Sequence, residues 1–164
     1  MREVVLAALL VLATGAARGE EASPRPVPSG YAFDEPHFLT RQLLWGVVHG
    51  IRLLGRACFE RGDMLAAMAY ADWIDRQKPA ILAAERDLAR NYFGRNTASP
   101  DALAAALNLN PFLKTSADEL APACATLPAA LAGPRYDLER LRAEHLKAMI
   151  RDNPDLHGAI WSDR

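Results

Sequence analysis

The chain has 164 residues, of which 51% are hydrophobic and 24% charged, a composition typical of one globular domain with a sizeable core. Its 19 basic and 20 acidic side chains give a formal net charge of −1. With no stripe of basic residues, the chain lacks the electrostatic footprint of a nucleic-acid-binding protein, so we expect no nucleic-acid partner.

Residues 1–19 have the layout of a cleavable signal peptide. Arg2 precedes an apolar run from Val4 to Ala13, and small residues follow up to Gly19. About ten apolar residues are too few to span a bilayer, which needs about 20. The pattern predicts a periplasmic or secreted protein with no stable membrane insertion after cleavage. An uncleaved anchor or a core helix is the alternative.

The chain has two cysteines, Cys58 and Cys124. In an oxidising compartment, two cysteines in a small domain usually pair. We therefore expect a Cys58–Cys124 disulfide, with two buried free thiols as the alternative.

Residues 20–34 are rich in proline, which sustains neither a helix nor a central strand, so we expect an extended lead-in. A first helix is predicted from Pro36 to Arg61, because proline suits the first helical turn. Gly62 suits a left-handed end of this helix, and Asp63 can cap the next one, which predicts a tight turn. The expected apolar stripe of this helix contains Leu43, Val47, Ile51, Leu54 and Cys58.

The next segment has a helical pattern that is interrupted by Lys78-Pro79. Proline removes a backbone donor and disfavours helix in the residue before it. The segment is therefore either one kinked helix or two helices, 64–78 and 80–93. Its predicted apolar face begins with Met64, Met68, Ala71 and Ile74. Lys78 and Glu85 continue that face, which indicates an internal ion pair or cavity, or else side chains whose charged ends reach solvent.

Local sequence signals indicate further helix starts and breaks in the rest of the chain. Ser99 is the expected cap of a short helix that begins at Pro100. Ser116 and Glu119 have the spacing of a capping box. Two further prolines, Pro122 and Pro128, predict only short turns over residues 117–132.

A last helix is predicted over about 135–152, with Leu138, Leu141, His145 and Met149 on one face. His145 fits a hydrogen-bonded core position better than a ligand position. The tail beyond this helix contains Ile160 and Trp161, which we expect to pack against the domain.

The segment "IRLLGRACFERGDMLAAMAYADWIDRQKP" resembles a tetratricopeptide (TPR) repeat. Ala71 departs from the pattern, because the family has a large aromatic residue there. A degenerate second copy extends the resemblance to residues 48–111, with Leu88, Ala89 and Tyr92 recurring 34 positions after the first set. The matching positions of the first copy are Ile51, Leu54-Gly55, Cys58, Gly62, Ala67 and Pro79.

The fold class that follows is all-α, either a compact helical bundle or TPR-like hairpins, with about five helices in one domain over residues 35–164. A Cys58–Cys124 bond favours the compact bundle, because it requires Cα atoms within about 7 Å of each other. The resemblance implies that Gly55 and Ala67 are small because two helices approach closely there.

In TPR proteins, one face of the first helix lines a groove that holds peptides. Carried over by spacing, the resemblance implies that His49, Arg52, Arg56 and Glu60 line such a groove, and Trp45 lies on the same face as a possible anchor. The alternative is a solvated helix face with an Arg56–Glu60 pair.

No motif names a reaction. The four histidines lack metal-ligand spacing, and the chain has neither a phosphate-binding glycine loop nor a nucleophile elbow, so we expect no metal and no cofactor. The prediction is an exported, non-catalytic domain that binds an unidentified protein or peptide. The alternative is a carrier of a small molecule or lipid in a pocket between helices, and an enzyme ranks last.

Overall fold

The computed structural model describes residues 30–152. This part of the chain contains five α-helices and no strand, so the fold is all-α as predicted. The helices are α1 (Pro36–Glu60), α2 (Met64–Phe93), α3 (Pro100–Ala106), α4 (Ala117–Ala132) and α5 (Leu138–Asp152). The predicted signal peptide, most of the lead-in, and Ile160 and Trp161 of the tail lie outside the described residues.

The first two helices form an antiparallel hairpin with the predicted tight turn. Gly62 adopts a φ of +86°, which favours glycine, and the Asp63 carboxylate accepts a hydrogen bond from the Ala66 N–H at 3.1 Å. The helices approach closely at Gly55, where an added Cβ would lie 2.6 Å from Cγ of Tyr70. This confirms the expected close approach at Gly55.

Helix α2 runs through Pro79 as one helix of 30 residues, which decides between the two alternatives. The proline is exposed, so its ring displaces no core side chain, although it removes one backbone donor from the helix. Buried residues on both sides of it, Trp73, Ala80 and Leu88, hold the two halves against the rest of the bundle. Gly94, at a φ of +63°, ends the helix.

Helix α4 corrects the prediction of short turns over residues 117–132. The expected capping box is present, with the Glu119 N–H donating to Ser116 Oγ and the Glu119 side chain accepting from the Ser116 N–H. Pro122 and Pro128 lie inside the helix and remove two backbone donors. Packing outweighs this local cost, because the helix buries a face made of Cys124, Leu127 and Leu131.

The disulfide joins Cys58 near the end of α1 to Cys124 in the middle of α4, as predicted. The two Cα atoms are 5.5 Å apart, and both side chains are completely buried. The bond joins α1 to α4, and α4 also packs on α2. The three helices therefore form a compact bundle.

Helix α5 begins at Leu138, after a single 3₁₀ turn over Pro134–Tyr136. Two polar side chains of α2 position this start. Trp73 Nε1 donates to the carbonyl of Tyr136 at 2.8 Å, and Gln77 Oε1 accepts from the Leu138 N–H at 2.9 Å. The helix then packs mainly against α1.

The end of the lead-in is attached to the bundle by a buried polar network. The side chain of Gln42, fully buried in α1, accepts from the Ala32 N–H at 2.9 Å and donates to the Gly30 carbonyl and to the Tyr92 hydroxyl. The Tyr92 hydroxyl donates in turn to the Gly30 carbonyl at 2.7 Å. Burial raises the pKa of Tyr92, consistent with a neutral hydroxyl in this network.

The charged residues predicted to interrupt the face of α2 do not form an internal ion pair. Lys78 is exposed and Glu85 is half-buried. The ion pair that does join α2 to α1 is between Arg41 Nε and Asp87 Oδ2, at 3.1 Å. No helix over residues 30–152 is long and apolar enough to cross a bilayer.

Candidate functional site

The structure corrects the predicted open groove on α1. Trp45 and His49 share one helix face with Arg52, but Trp45 is only 3% exposed and His49 only 5%. Helix α3 and the chain that follows it contact this face, through Asp101 and Asn110. Trp45 and His49 therefore lie beneath the protein's own chain, and this conformation does not offer them to a partner.

The contacts of His49 determine which nitrogen carries the proton when the ring is neutral. Its Nε2 lies 2.8 Å from the carbonyl of Asn110, which can only accept a hydrogen bond, so Nε2 carries the proton and donates. The other ring nitrogen, Nδ1, is then free to accept from Arg52 Nη2 at 3.5 Å. His49 thus serves as a structural link between α1 and the residues after α3.

Arg52 completes the same link at the surface. Its Nη2 donates to Asp101 Oδ1 at 2.7 Å, and this hydrogen bond lowers the pKa of Asp101 below its ordinary value of 3.8. A carboxylate with a lowered pKa favours the folded state above about pH 4, and that contribution decreases as the pH falls through the lowered pKa. The guanidinium of Arg52 is occupied by this internal partner.

Arg56 and Glu60 form the surface pair that the alternative reading anticipated. Arg56 Nε donates to Glu60 Oε1 at 2.7 Å, and the hydrogen bond raises the pKa of Arg56. Both side chains are mostly exposed. They are the two members of the predicted site whose side chains are more than half exposed, and they are close to Phe59 in the sequence at the end of α1.

The largest departure from the sequence prediction is on α2, where three of the four residues expected on the apolar face are exposed and only Ile74 packs against the core. Met64 is 57% exposed and Met68 is 60% exposed, and Ala71 is exposed as well. The buried face contains instead Ala66, Trp73 and Ala80, spaced by seven residues. A tryptophan has far more apolar surface to bury than a methionine, so Trp73 sets the orientation of the helix.

Four large apolar side chains at this end of the hairpin are more than half exposed. Phe59 is 60% and Leu65 75% exposed, in addition to Met64 and Met68. We refer to these four residues as the tip patch. Sequence reasoning missed it, and the signal that would have found it is the competing seven-residue spacing of Ala66, Trp73 and Ala80.

A separate pocket of about 430 Å³ opens between α1, α2 and α5 at the other end of the hairpin. Its lining combines apolar and charged side chains. Phe38 and Leu146 are apolar, Arg41 pairs with Asp87, and Arg142 pairs with Glu139 at 2.9 Å. Such a combination suits a small molecule with an apolar body and a charged group.

The described residues contain no group of three or more His, Cys, Asp or Glu side chains that could hold a metal ion. His145 is half-buried, and its Nδ1 is buried without a hydrogen-bond partner among residues 30–152. This differs from the hydrogen-bonded core histidine that the sequence predicts.

No known family matches this chain. Comparisons with protein-family models, with curated proteins and with solved structures each found no match. The TPR resemblance over residues 48–111 therefore stays a prediction that rests on the spacing of its residues.

Proposed function

We propose that this chain is an exported helical domain that binds a protein partner through the tip patch. The carrying observation is the exposure of Phe59, Met64, Leu65 and Met68, which are four of the nine large hydrophobic side chains that are exposed among residues 30–152 and which lie close together in the chain at one end of the hairpin. Soluble monomers rarely leave contiguous apolar surface of this kind uncovered, and such patches mark interaction sites. The signal-like N-terminus and the disulfide support an oxidising, extracytoplasmic location.

The local structure suits the tip patch to binding. The disulfide holds Cys58 in place next to Phe59, and the Asp63 cap fixes the start of α2. A surface that is rigid before binding loses less conformational entropy when a partner docks. The two methionines provide polarizable, adaptable contacts, and Arg56 and Glu60 supply a polar rim. Two of the residues originally predicted to bind a partner thus border the proposed surface.

Site-specific photo-crosslinking in the native host tests this proposal. We expect a benzophenone amino acid at position 65 to give a discrete protein adduct, and Met68→Asp to abolish it. Leu82 is the matched control, because it is an exposed leucine (47%) in the second half of the same helix. Absence of an adduct at position 65, or equal adducts at positions 65 and 82, would contradict the proposal. Crosslinks to lipid alone would assign the patch to a membrane instead.

The pocket between α1, α2 and α5 favours a second candidate function, the binding of a small amphiphilic anion. Arg142 would exchange its surface partner Glu139 for the anionic group, and Phe38 and Leu146 would contact the apolar part. We expect 1-anilinonaphthalene-8-sulfonate to bind saturably, and Leu146→Trp to weaken this binding at least about fivefold by filling the pocket. Leu65→Lys, on the tip patch, is the control and should leave it unchanged. Loss of dye binding in the control would place the dye on the tip patch and eliminate this candidate.

A further inference from the structure

We infer that the partner of the tip patch is a second copy of this chain, paired antiparallel along α2 about a two-fold axis beside Met68. The inference rests on the proposed function, since it names the occupant of the same surface. It is carried by the arrangement of apolar and charged residues on the exposed side of α2, which is complementary to itself.

The exposed side of α2 has an apolar centre and charged flanks. At about 100° per residue, Met64, Leu65, Met68 and Ala71 lie within about 60° of one direction around the helix. Asp72 and Asp75 follow on the same side, and Arg61 precedes it in the turn. No residue between 30 and 152 forms an ion pair with the side chains of Arg61, Asp72 or Asp75.

A two-fold axis beside Met68 brings opposite charges together. Arg61 lies in the turn before α2 begins, and Asp72 and Asp75 lie beyond Met68, so an antiparallel copy places each Arg61 at the end that carries the partner copy's aspartates. A parallel arrangement would bring Arg61 against its own equivalent, which like-charge repulsion disfavours. The charges therefore favour a second copy of this chain as the partner, and they favour the antiparallel over the parallel arrangement.

The apolar centre is also complementary in size. About the same axis, Met64 of one copy lies on the same flank as the small Ala71 of the other, and the two Met68 side chains meet at the centre. A large side chain opposite a small one allows helices to interdigitate. The paired stretch spans only about three helical turns, so the interface belongs to the small class, and the association should depend on concentration.

Analytical ultracentrifugation of protein expressed from the full sequence tests the inference. We expect a reversible monomer–dimer equilibrium. Met68→Lys should lower the association constant at least about tenfold, because it places two like charges against each other at the axis. Leu82→Lys, the matched control on α2, should leave it unchanged. Met68→Glu provides a second variant of opposite charge that should weaken the dimer for the same reason, and circular dichroism checks that every variant is folded.

A charge exchange tests the direction of pairing. Arg61→Asp and Asp75→Arg should each weaken the dimer several-fold, because each places like charges opposite one another. The double variant restores an opposite-charge pair across the interface, so it should recover to within about twofold of the parent. A double variant no stronger than the weaker single variant would overturn the antiparallel register.

Photo-crosslinking with purified protein separates failure of this inference from failure of the proposed function. An adduct of twice the chain mass from position 65 supports the second copy. A chain that stays monomeric at all concentrations, yet gives a larger heteromeric adduct in its host, overturns the inference and leaves partner binding standing. Absence of adducts in both settings overturns both.

Discussion

Replacing Cys58 and Cys124 together by alanine is expected to lower the free energy of unfolding by about 4 kcal/mol. The two residues are separated by 66 positions, and closing a loop of this length removes that much conformational entropy from the unfolded chain in the chain-entropy model. In a domain of this size, such a change lowers Tm by roughly 10–20 °C. Thermal and chemical denaturation measure both quantities.

Reduction provides the matched control for the cysteine variant. A reductant should destabilise the parent protein by a similar amount and should leave the double variant unchanged. Both cysteines are joined in the disulfide and the sequence has no other cysteine, so the parent should show no reactive thiol when it is unfolded without reductant. Two reactive thiols under those conditions would contradict the disulfide.

Gly55→Ala is expected to destabilise the protein by about 1–3 kcal/mol, although alanine normally stabilises a helix relative to glycine by about 1 kcal/mol. An added Cβ would lie 2.6 Å from Cγ and 2.8 Å from Cδ2 of Tyr70, well inside van der Waals contact. The Tyr70 ring is half-buried between the helices, so relieving the overlap requires α1 and α2 to move apart.

Gly50→Ala is the matched control in the same helix, because no atom lies within 4 Å of its added Cβ. This variant should gain about 0.5–1 kcal/mol from lower backbone entropy in the unfolded chain. Tyr70→Ala completes the comparison. In that background, Gly55→Ala should lose its penalty, which urea denaturation of the four proteins would reveal as a coupling energy. Stabilisation by Gly55→Ala in the parent would show that the helices are not in close contact there.

The two predictions concern the features that present the tip patch. The disulfide holds the end of α1 beside Phe59, and the close approach at Gly55 sets the spacing of α1 and α2. Loss of either should loosen the hairpin and weaken binding through the patch even where its own side chains are intact.

Helix ends and the disulfide were predictable from the sequence. The start of α1 at Pro36, the Asp63 cap and the Ser116–Glu119 capping box depend on residues within a few positions of each other. The hydrogen bonds that they make are local, so the same residues satisfy them almost regardless of the fold. The cysteine pairing followed from the presence of only two candidates in a chain whose first residues have the layout of a signal peptide.

Which helix face is buried was not predictable in this way. On α2 the stripe of Met64, Met68 and Ala71 competes with that of Ala66, Trp73 and Ala80, and periodicity supports both. On α1, the face that carries His49 and Arg52 contacts Asn110 and Asp101, which are about fifty residues or more away in the chain. In α4, two interior prolines disfavour a helix. The helix forms nevertheless, because packing of the face around Cys124 outweighs their effect.

The sequence by itself determined the helical class, most helix ends and the cysteine pair, since each depends on short-range hydrogen bonding or on a unique choice of partner. Only the tertiary structure decided which apolar residues form the core and which remain at the surface. The reason is that the interior has room for only one face of each helix. The large side chain of Trp73 and the close approach of the helices at Gly55 determine which face that is. Met64, Leu65 and Met68 are left outside, and that outcome creates the surface on which the proposed function depends.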